Sequence, residues 1–201
     1  MSVPAIFGFY GSSNTGKTTL IVKIIEKLTK EGYKVATIKK TDKKIDIDKK
    51  DKDTWKHGQA GARLVVLSSS HETDFIVKKN MEIDDIIQNI SEMRCYDAII
   101  VEGARDKNIP KIRLGDIEER DNTINTIGYY QDNFEEIFKL IKKDIDKKTV
   151  FDNQDIGVRV NKKVVSLSEF PADIIKNGIL GMLKSLKGID KIDEVEIRFK
   201  N

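Results

Sequence analysis

Residues 11–18, with the sequence GSSNTGKT, decide the fold. They match the pattern G-x-x-x-x-G-K-[ST] of a nucleotide phosphate-binding loop at every fixed position. The apolar run AIFGFY at residues 5–10 precedes the loop, and residues 18–30 follow it with apolar side chains at helical spacing. A buried strand, a loop with glycines and a helix are the context in which this pattern binds phosphate, so an ordinary glycine-rich turn is disfavoured.

The residue types of the loop suit a polyphosphate. Gly11 and Gly16 let the backbone adopt conformations that side chains hinder, so the amides of residues 13–18 can form an anion-binding nest at the N-terminus of the helix. We expect Lys17 to reach the β- and γ-phosphates, the Thr18 hydroxyl to bind magnesium, and the next threonine to contact the α-phosphate. The predicted nucleotide-binding residues are Gly11, Ser12, Ser13, Asn14, Thr15, Gly16, Lys17, Thr18 and Thr19.

Such a site also needs a carboxylate near the phosphates, and residues 97–102, DAIIVE, supply one. The apolar run predicts a buried strand that leads into Glu102, which could hold magnesium through water or polarise the attacking water. We therefore predict Lys17 and Glu102 as the catalytic residues. Asp46 and Asp48, in an earlier charged segment, could supply a second carboxylate.

The residues alone leave the rate of hydrolysis and the base open. Arg63 and Arg105 are candidate arginine fingers, but arginine is sparse in the chain, so we expect slow hydrolysis. Residues 161–164, NKKV, lack the aspartate of a guanine-reading Asn-Lys-x-Asp and fall in a predicted hairpin turn. Guanine and adenine therefore cannot be told apart on this basis.

The remaining patterns predict an α/β fold of the P-loop NTPase type, with a mostly parallel sheet flanked by helices and a small C-terminal α+β appendage. We assign the nucleotide-binding domain to residues 1–148 and the C-terminal extension to residues 149–201. Residues 41–54 are nearly all charged and are expected to be a mobile loop, either a solvated linker or a lid. Further strands are expected at 34–38, 63–67, 73–77, 97–101, 111–114, 125–128 and 195–199, a hairpin at 157–167, and helices at 54–62, 81–93, 134–145 and 174–186.

Composition narrows the classes of protein. Hydrophobic residues make up 39% of the 201 residues, which is enough for a core, and the net charge of +3 is too small for a dedicated nucleic-acid binder. There is no apolar run of about 18 residues, as a membrane span needs, and no signal-peptide pattern at the N-terminus. The single Cys95 excludes an internal disulfide framework and a cysteine-based zinc site. We expect a cytoplasmic protein.

Six ordered blocks resemble the molybdopterin-guanine dinucleotide biosynthesis protein B (MobB) family. In that family a P-loop is followed by a lysine-threonine strand end, an Asp-x-Asp, a Lys-Asp-Thr with an aromatic residue, an Ala-Gly-Ala and a Val-Glu-Gly. The segment IPKI at residues 109–112 also resembles the family's continuation. The blocks here are residues 11–19, IKKT at 38–41, DID at 46–48, KDTW at 52–55, QAGA at 59–62 and VEG at 101–103.

The resemblance implies an accessory protein of molybdenum cofactor (molybdopterin guanine dinucleotide) biosynthesis that binds GTP and hydrolyses it weakly. It implies GTP and Mg²⁺ as cofactors, with Thr18, Asp46 and Glu102 as the metal-binding set. It also implies a MobA-type guanylyltransferase or another molybdenum-cofactor protein as a partner, molybdopterin as a possible ligand, and a homodimer.

Two other functions remain open from the sequence. The first is a P-loop kinase for a small molecule. Such kinases usually carry an arginine-rich lid after the central strand, whereas residues 111–114, KIRL, predict a strand there. The second is a nucleotide-dependent carrier or scaffold without significant catalysis.

Overall fold

The computed structural model describes residues 4–93, 95–129, 133–152, 158–160, 163–165, 169–188, 191–192 and 195. The chain separates into two compact units, residues 4–145 and the residues from 146 onward. The predicted domain boundary between residues 148 and 149 stays a prediction. Within the described residues, no helix is both long enough and apolar enough to cross a bilayer.

The first unit carries most of the regular structure. Its elements, in chain order, are β1 Ala5–Gly11, α1 Lys17–Lys30, β2 Val35–Lys39, α2 Asp53–Gln59, β3 Leu64–Ser68, β4 Thr73–Val77, α3 Ile83–Glu92, β5 Ala98–Glu102, β6 Lys111–Leu114, β7 Thr123–Ile127 and most of α4 Phe134–Asp152. The second unit contains the antiparallel pair β8 Val158–Val160 and β9 Lys163–Val165, followed by α5 Glu169–Lys184.

The central sheet has five parallel strands in the order β2-β5-β1-β6-β7. Its inner strands are buried on both faces, which explains why they read as continuous apolar runs in the sequence. Parallel pairing brings the carboxyl ends of β1, β2 and β5 to one edge, where Glu102 is in register with Lys39 on one side and Phe9 on the other. The predicted α/β fold with a mostly parallel sheet is confirmed.

Helices cover both faces of this sheet. On one face, Leu20 and Ile24 of α1 and Ile137 and Ile141 of α4 pack against the strands in a core that includes Ile100. On the other face, Ile83 joins Ile99 and Val101, with Ile87 and Ile90 of α3 packed at the border of this core. Successive residues of β5 thus point to opposite faces, and each buried side chain of this size contributes about 1.5–3 kcal/mol.

A separate antiparallel pair, β3 and β4, lies outside the central sheet. Leu64 and Val66 pair with Val77 and Phe75, and all four side chains are more than 40% exposed. On the alternate face, Val65 is buried and its partner Ile76 is half-buried. The strands predicted at 63–67 and 73–77 are confirmed, and one face of the pair that they form is apolar and exposed.

Two helices differ most from their predicted bounds. The prediction for α4 ended at residue 145 because its apolar stripe ends at Ile145, but the helix continues through helix-compatible residues to Asp152. α5 begins at Glu169 rather than residue 174, because Pro171 falls in the first turn, where proline is tolerated. Residues 196–199 of the predicted strand at 195–199 lie outside the described residues, as does the turn at Asn161 and Lys162.

Candidate nucleotide-binding site

The glycine-bearing loop connects the central strand β1 to α1. Gly16, the residue before the helix, has a left-handed backbone conformation with a φ of 82°. Asn14 is also left-handed, with a φ of 64°. No side chain caps the helix, and its first turn contains no acidic residue. The first amides of a helix have no intrahelical partner, so this end remains open to an anion.

Gly11 serves the loop through its backbone conformation and through the space it leaves, since its φ of 158° is one that L side chains rarely adopt. A Cβ atom at Gly11 would lie 2.2 Å from the carbonyl oxygen of Leu114, and one at Gly115 would lie 3.0 Å from Cγ2 of Thr15. The loop is therefore seated against the carboxyl end of β6. Gly11 and Gly16 thus both adopt backbone angles that disfavour side chains, as expected, and Gly11 also permits close packing.

Lys17 folds back over the loop. Its ammonium group donates to the carbonyl oxygen of Ser12, and it lies 3.4 Å from Oγ1 of Thr15. Thr15 Oγ1 donates to the same carbonyl oxygen at 3.0 Å. Desolvation by burial lowers the pKa of Lys17, while the charge of Glu102 opposes that shift. The ammonium group is thus held beside the mouth of the loop.

Glu102 and Thr18 meet at this mouth. The Thr18 hydroxyl donates to Glu102 Oε1 at 3.0 Å, and Lys39 Nζ lies 3.5 Å from the same oxygen. The carboxylate comes from the end of β5 and the hydroxyl from the first turn of α1. The structure therefore brings together two residues that the sequence analysis placed in one site.

These donors suit a magnesium ion that also has phosphate and water ligands. Mg²⁺ is commonly bound through one or two carboxylates together with substrate phosphates and waters. Thr18 and Glu102 supply a hydroxyl and one carboxylate. Among the described residues there is no group of three or more His, Cys, Asp or Glu that could hold a metal without such a ligand.

The acidic residues of the charged segment lie elsewhere. Asp48 accepts hydrogen bonds from Thr54 at 2.8 Å and from Lys78 at 2.7 Å, and these two bonds, that from Lys78 foremost, lower its pKa. It anchors the segment before α2. Asp46 is exposed, and none of the described hydrogen bonds or ion pairs joins it to Thr18 or Glu102. Its role as a metal ligand stays a prediction.

The two candidate arginine fingers have different surroundings. Arg63 is exposed immediately before β3. Arg105 follows β5 and forms an ion pair with Asp42 at the edge of a cleft beside the loop. Of the two, the structure brings Arg105 towards the candidate site.

The cleft contains residues that the sequence analysis did not assign to the site. It has a volume of about 440 Å³ at the carboxyl ends of the central strands. Ligands of open α/β sheets bind at this edge, so the residues that follow β2 could have been assigned to the site from their position alone. The segment before β7 shows no sequence pattern that would have identified Arg120 as a lining residue. The lining residues missed are Tyr10, Lys40, Thr41, Asp42, Lys43, Gly103 and Arg120.

Buried hydrogen bonds hold the wall of this cleft. Arg120 lies 4.6 Å from the centre of the Tyr10 ring and donates to the carbonyl oxygen of Ala104 at 2.7 Å. Lys111 is fully buried and donates to the carbonyl oxygens of Ile109 and Asp121 at 2.8 and 2.6 Å. Burial lowers the pKa of Lys111, and the two backbone bonds fix the loops on either side of β6.

A glycine-bearing loop between a central parallel strand and a helix, with a lysine and a strand-end carboxylate beside it, defines the P-loop NTPase-like class. Within that class, the family model for molybdopterin guanine dinucleotide synthesis protein B matches residues 6–151. The chain belongs to the MobB family, and the resemblance inferred from the six blocks is confirmed.

Relatives in two organisms are similar to this chain. A protein of Methanocaldococcus jannaschii, provisionally named a molybdopterin-guanine dinucleotide biosynthesis adapter protein, is 26% identical over 96% of each chain. The molybdopterin-guanine dinucleotide biosynthesis adapter protein of Haemophilus influenzae is 32% identical over 54% of this chain and 62% of its own.

Solved structures share the fold. A crystal structure of molybdopterin-guanine biosynthesis protein B superposes with a TM-score of 0.51 and 24% identity, over 70% of this chain and 99% of that one. The crystal structure of Bacillus subtilis MobB gives a TM-score of 0.53 and 16% identity, over 70% and 97%. At these identities the superpositions show a common architecture.

Proposed function

We propose that this protein binds GTP with Mg²⁺ at the loop of residues 11–18, hydrolyses it slowly, and acts as an adapter in molybdopterin guanine dinucleotide biosynthesis. The contact between Thr18 and Glu102 supports the nucleotide part of the proposal, because a magnesium ion bound to phosphate needs a carboxylate near the hydroxyl of the loop. Membership of the MobB family and the names of the relatives support the pathway.

In this proposal the chain's own residues position the phosphates. Phosphate oxygens accept hydrogen bonds from the open amides at the start of α1. They also accept one from the ammonium group of Lys17, in place of the Ser12 carbonyl oxygen to which it is bonded in the structure. Thr18 and Glu102 would hold Mg²⁺, which supplies neutralisation of charge on the transferring phosphoryl group. Glu102 also orients the attacking water.

Slow hydrolysis follows from what surrounds the loop. Among the hydrogen bonds and ion pairs of the described residues, none joins an arginine side chain to residues 11–18, and Arg105 is paired with Asp42. An arginine finger raises the rate of such sites by about 10³–10⁵. We therefore expect a low basal rate that a partner could raise by supplying an arginine.

The choice of guanine rests on the family resemblance, and a titration tests it. Isothermal titration of the protein with GTP and with ATP, each with Mg²⁺, should give saturable binding that is tighter for GTP. A preference for ATP, or an absence of binding to either nucleotide, would contradict the proposal.

The adapter role implies protein partners in the cytoplasm. We propose a MobA-type guanylyltransferase or another molybdenum-cofactor protein as the partner, molybdopterin as a possible ligand, and a homodimer as the assembly. Co-purification of the guanylyltransferase with this protein, with and without GTP, tests the first of these. Sedimentation of the isolated protein tests the assembly.

A further inference from the structure

A cationic cleft, which we call the basic cleft, lies at the carboxyl ends of β1, β2 and β5. Its volume is about 440 Å³. Four cationic side chains and one carboxylate line it, an excess of three positive charges over a small area. These five residues are Lys40, Lys43, Arg105, Arg120 and Asp42.

The basic cleft adjoins the phosphate-binding loop without being part of it. Gly11 is the one residue of the segment 11–18 that lines the cleft. Gly103 also lines the cleft, and a Cβ there would lie 2.5 Å from the carbonyl oxygen of Lys40. The cations come from the segments after β2 and β5 and before β7, so a nucleotide held by Lys17 and α1 leaves them available.

Asp42 partly neutralises the basic cleft. Its carboxylate accepts a hydrogen bond from Nη2 of Arg105, and both side chains are more than half exposed. Exposed ion pairs of this kind contribute little. The carboxylate therefore occupies a position that an oxyanion of higher charge can take over.

Arg120 is pre-arranged in the wall of the basic cleft. Its guanidinium group stacks on the Tyr10 ring and donates one bond to Ala104, while its backbone amide donates to the Tyr10 hydroxyl at 3.0 Å. Arginine has five N–H donors, so most remain for a ligand. Because the side chain is already ordered, binding costs less conformational entropy.

We propose that the basic cleft is a second anion site that binds a small molecule carrying a phosphate monoester while nucleotide occupies the neighbouring loop, and that Asp42 is its built-in competitor. The proposal rests on the proposed function in one respect, the presence of nucleotide in the loop. Arginine and lysine side chains that converge on one cleft are the groups that recognise a dianionic phosphate.

The experiment uses phenyl phosphate as the probe and phenol as its neutral counterpart. Each is titrated calorimetrically into the protein saturated with Mg²⁺ and the non-hydrolysable GTP analogue GMPPNP. Phenyl phosphate should bind saturably at one site and phenol should not. Binding that disappears when GMPPNP is present would overturn the proposal, because the probe would then occupy the phosphate-binding loop.

Two variants test the residues of the basic cleft. Asp42→Asn should tighten phenyl phosphate binding by about two- to fivefold, since the competing carboxylate is removed. Arg105→Gln should weaken it by about tenfold or more. Asp51→Asn makes the same charge change in the same segment outside the cleft and should leave the affinity unchanged. Equal tightening by Asp42→Asn and Asp51→Asn would show a general charge effect and overturn the proposal.

The same titration in a variant protein distinguishes failure of this proposal from failure of the proposed function. In Lys17→Ala protein without nucleotide, the loop is impaired and the basic cleft is intact, so phenyl phosphate should bind as in the nucleotide-saturated protein. Failure to bind there overturns the second anion site. Failure of the wild-type protein to bind GMPPNP counts against the proposed function alone.

Discussion

Lys17 is directed over the phosphate-binding loop. Its ammonium group is bonded to the Ser12 carbonyl oxygen, and burial lowers its pKa. A nucleotide phosphate would therefore meet a cation that is already positioned and partly desolvated, which strengthens an electrostatic contact. Glu102 and Thr18 complete the same corner of the site at a distance of 3.0 Å.

Glu102→Gln should separate hydrolysis from binding. The amide keeps the size of the side chain but loses the charge that orients water and magnesium. We expect GTP hydrolysis to fall by about 10²-fold or more, while affinity for GMPPNP with Mg²⁺ changes much less. Single-turnover hydrolysis and calorimetric titration measure the two quantities.

Glu118→Gln is the matched control, because Glu118 is an exposed glutamate outside the site. It should leave both hydrolysis and affinity unchanged. If Glu102→Gln instead abolishes nucleotide binding while each bound complex hydrolyses at the normal rate, then Glu102 contributes to binding and not to the orientation of water.

The residues of the loop could be predicted because their pattern is local. Glu102 could be predicted because it follows a buried strand. Nothing local distinguishes Asp46 from Asp48, and the partner of Asp48 is Lys78, thirty positions along the chain. Arg120 reaches the basic cleft from a segment without regular structure, so its place depends on tertiary packing.

Among the elements, the segment between β2 and α2 is the one whose function the sequence left most open. It forms neither helix nor strand, but Asp48 attaches it to Thr54 at the start of α2 and to Lys78 after β4. The segment also contributes Lys43 to the basic cleft. The segment that Asp48 attaches is therefore the same one that lines part of the cleft.

Asp48→Asn should loosen this attachment. Trp55, the one tryptophan of the chain, follows Thr54 in α2 and reports on the change. We expect its fluorescence emission to shift to longer wavelength, because the start of α2 becomes more exposed. Asp51→Asn, in the same segment, should leave the emission unchanged, and an unchanged spectrum for Asp48→Asn would contradict the role assigned to Asp48.

The same attachment predicts a dependence on pH. The hydrogen bonds of Asp48 lower its pKa in the folded protein, so its stabilising contribution is complete above the ordinary pKa of an aspartate and is lost as the pH falls through the lower, folded value. The Trp55 emission of the wild-type protein should therefore shift on acidification in that range. Asp48→Asn protein should lack this transition.

Strands and helices of the first unit could be predicted where the apolar residues of a segment follow a single periodicity, either that of a strand or that of a helix. The apolar run of β5 and the isoleucine spacing of α3 each allow one interpretation. The end of α4 could not be located, since the apolar stripe ends at Ile145 and helix propensity continues to Asp152. Apolar periodicity reports packing, and a helix can extend beyond the surface on which it packs.

At the scale of the whole molecule, one compact unit holds both the sheet and the candidate site. Residues 4–145 contain all five strands of the sheet, the phosphate-binding loop and the basic cleft. The match to the MobB family model covers residues 6–151. We propose that the residues beyond α4 are dispensable for nucleotide binding.

Truncation after Asp152 tests this division. The shortened protein keeps Ile137, Ile141 and Ile145, which close one face of the core. It should fold cooperatively and bind GMPPNP with Mg²⁺ as tightly as the full chain. A truncated protein that is folded by circular dichroism but has lost the nucleotide would show that the C-terminal residues contribute to the site.

The binding of GMPPNP with Mg²⁺ to wild-type and Lys17→Ala protein, measured side by side by isothermal titration, tests the central claim most directly. The claim is that residues 11–18 hold a nucleotide triphosphate through their amides and one ammonium group. Wild-type protein should bind at one site per chain, and Lys17→Ala should weaken that binding by about tenfold to a hundredfold, as expected for the loss of a charge-assisted hydrogen bond. Equal affinity of the two proteins, or no binding by the wild type, would contradict the account.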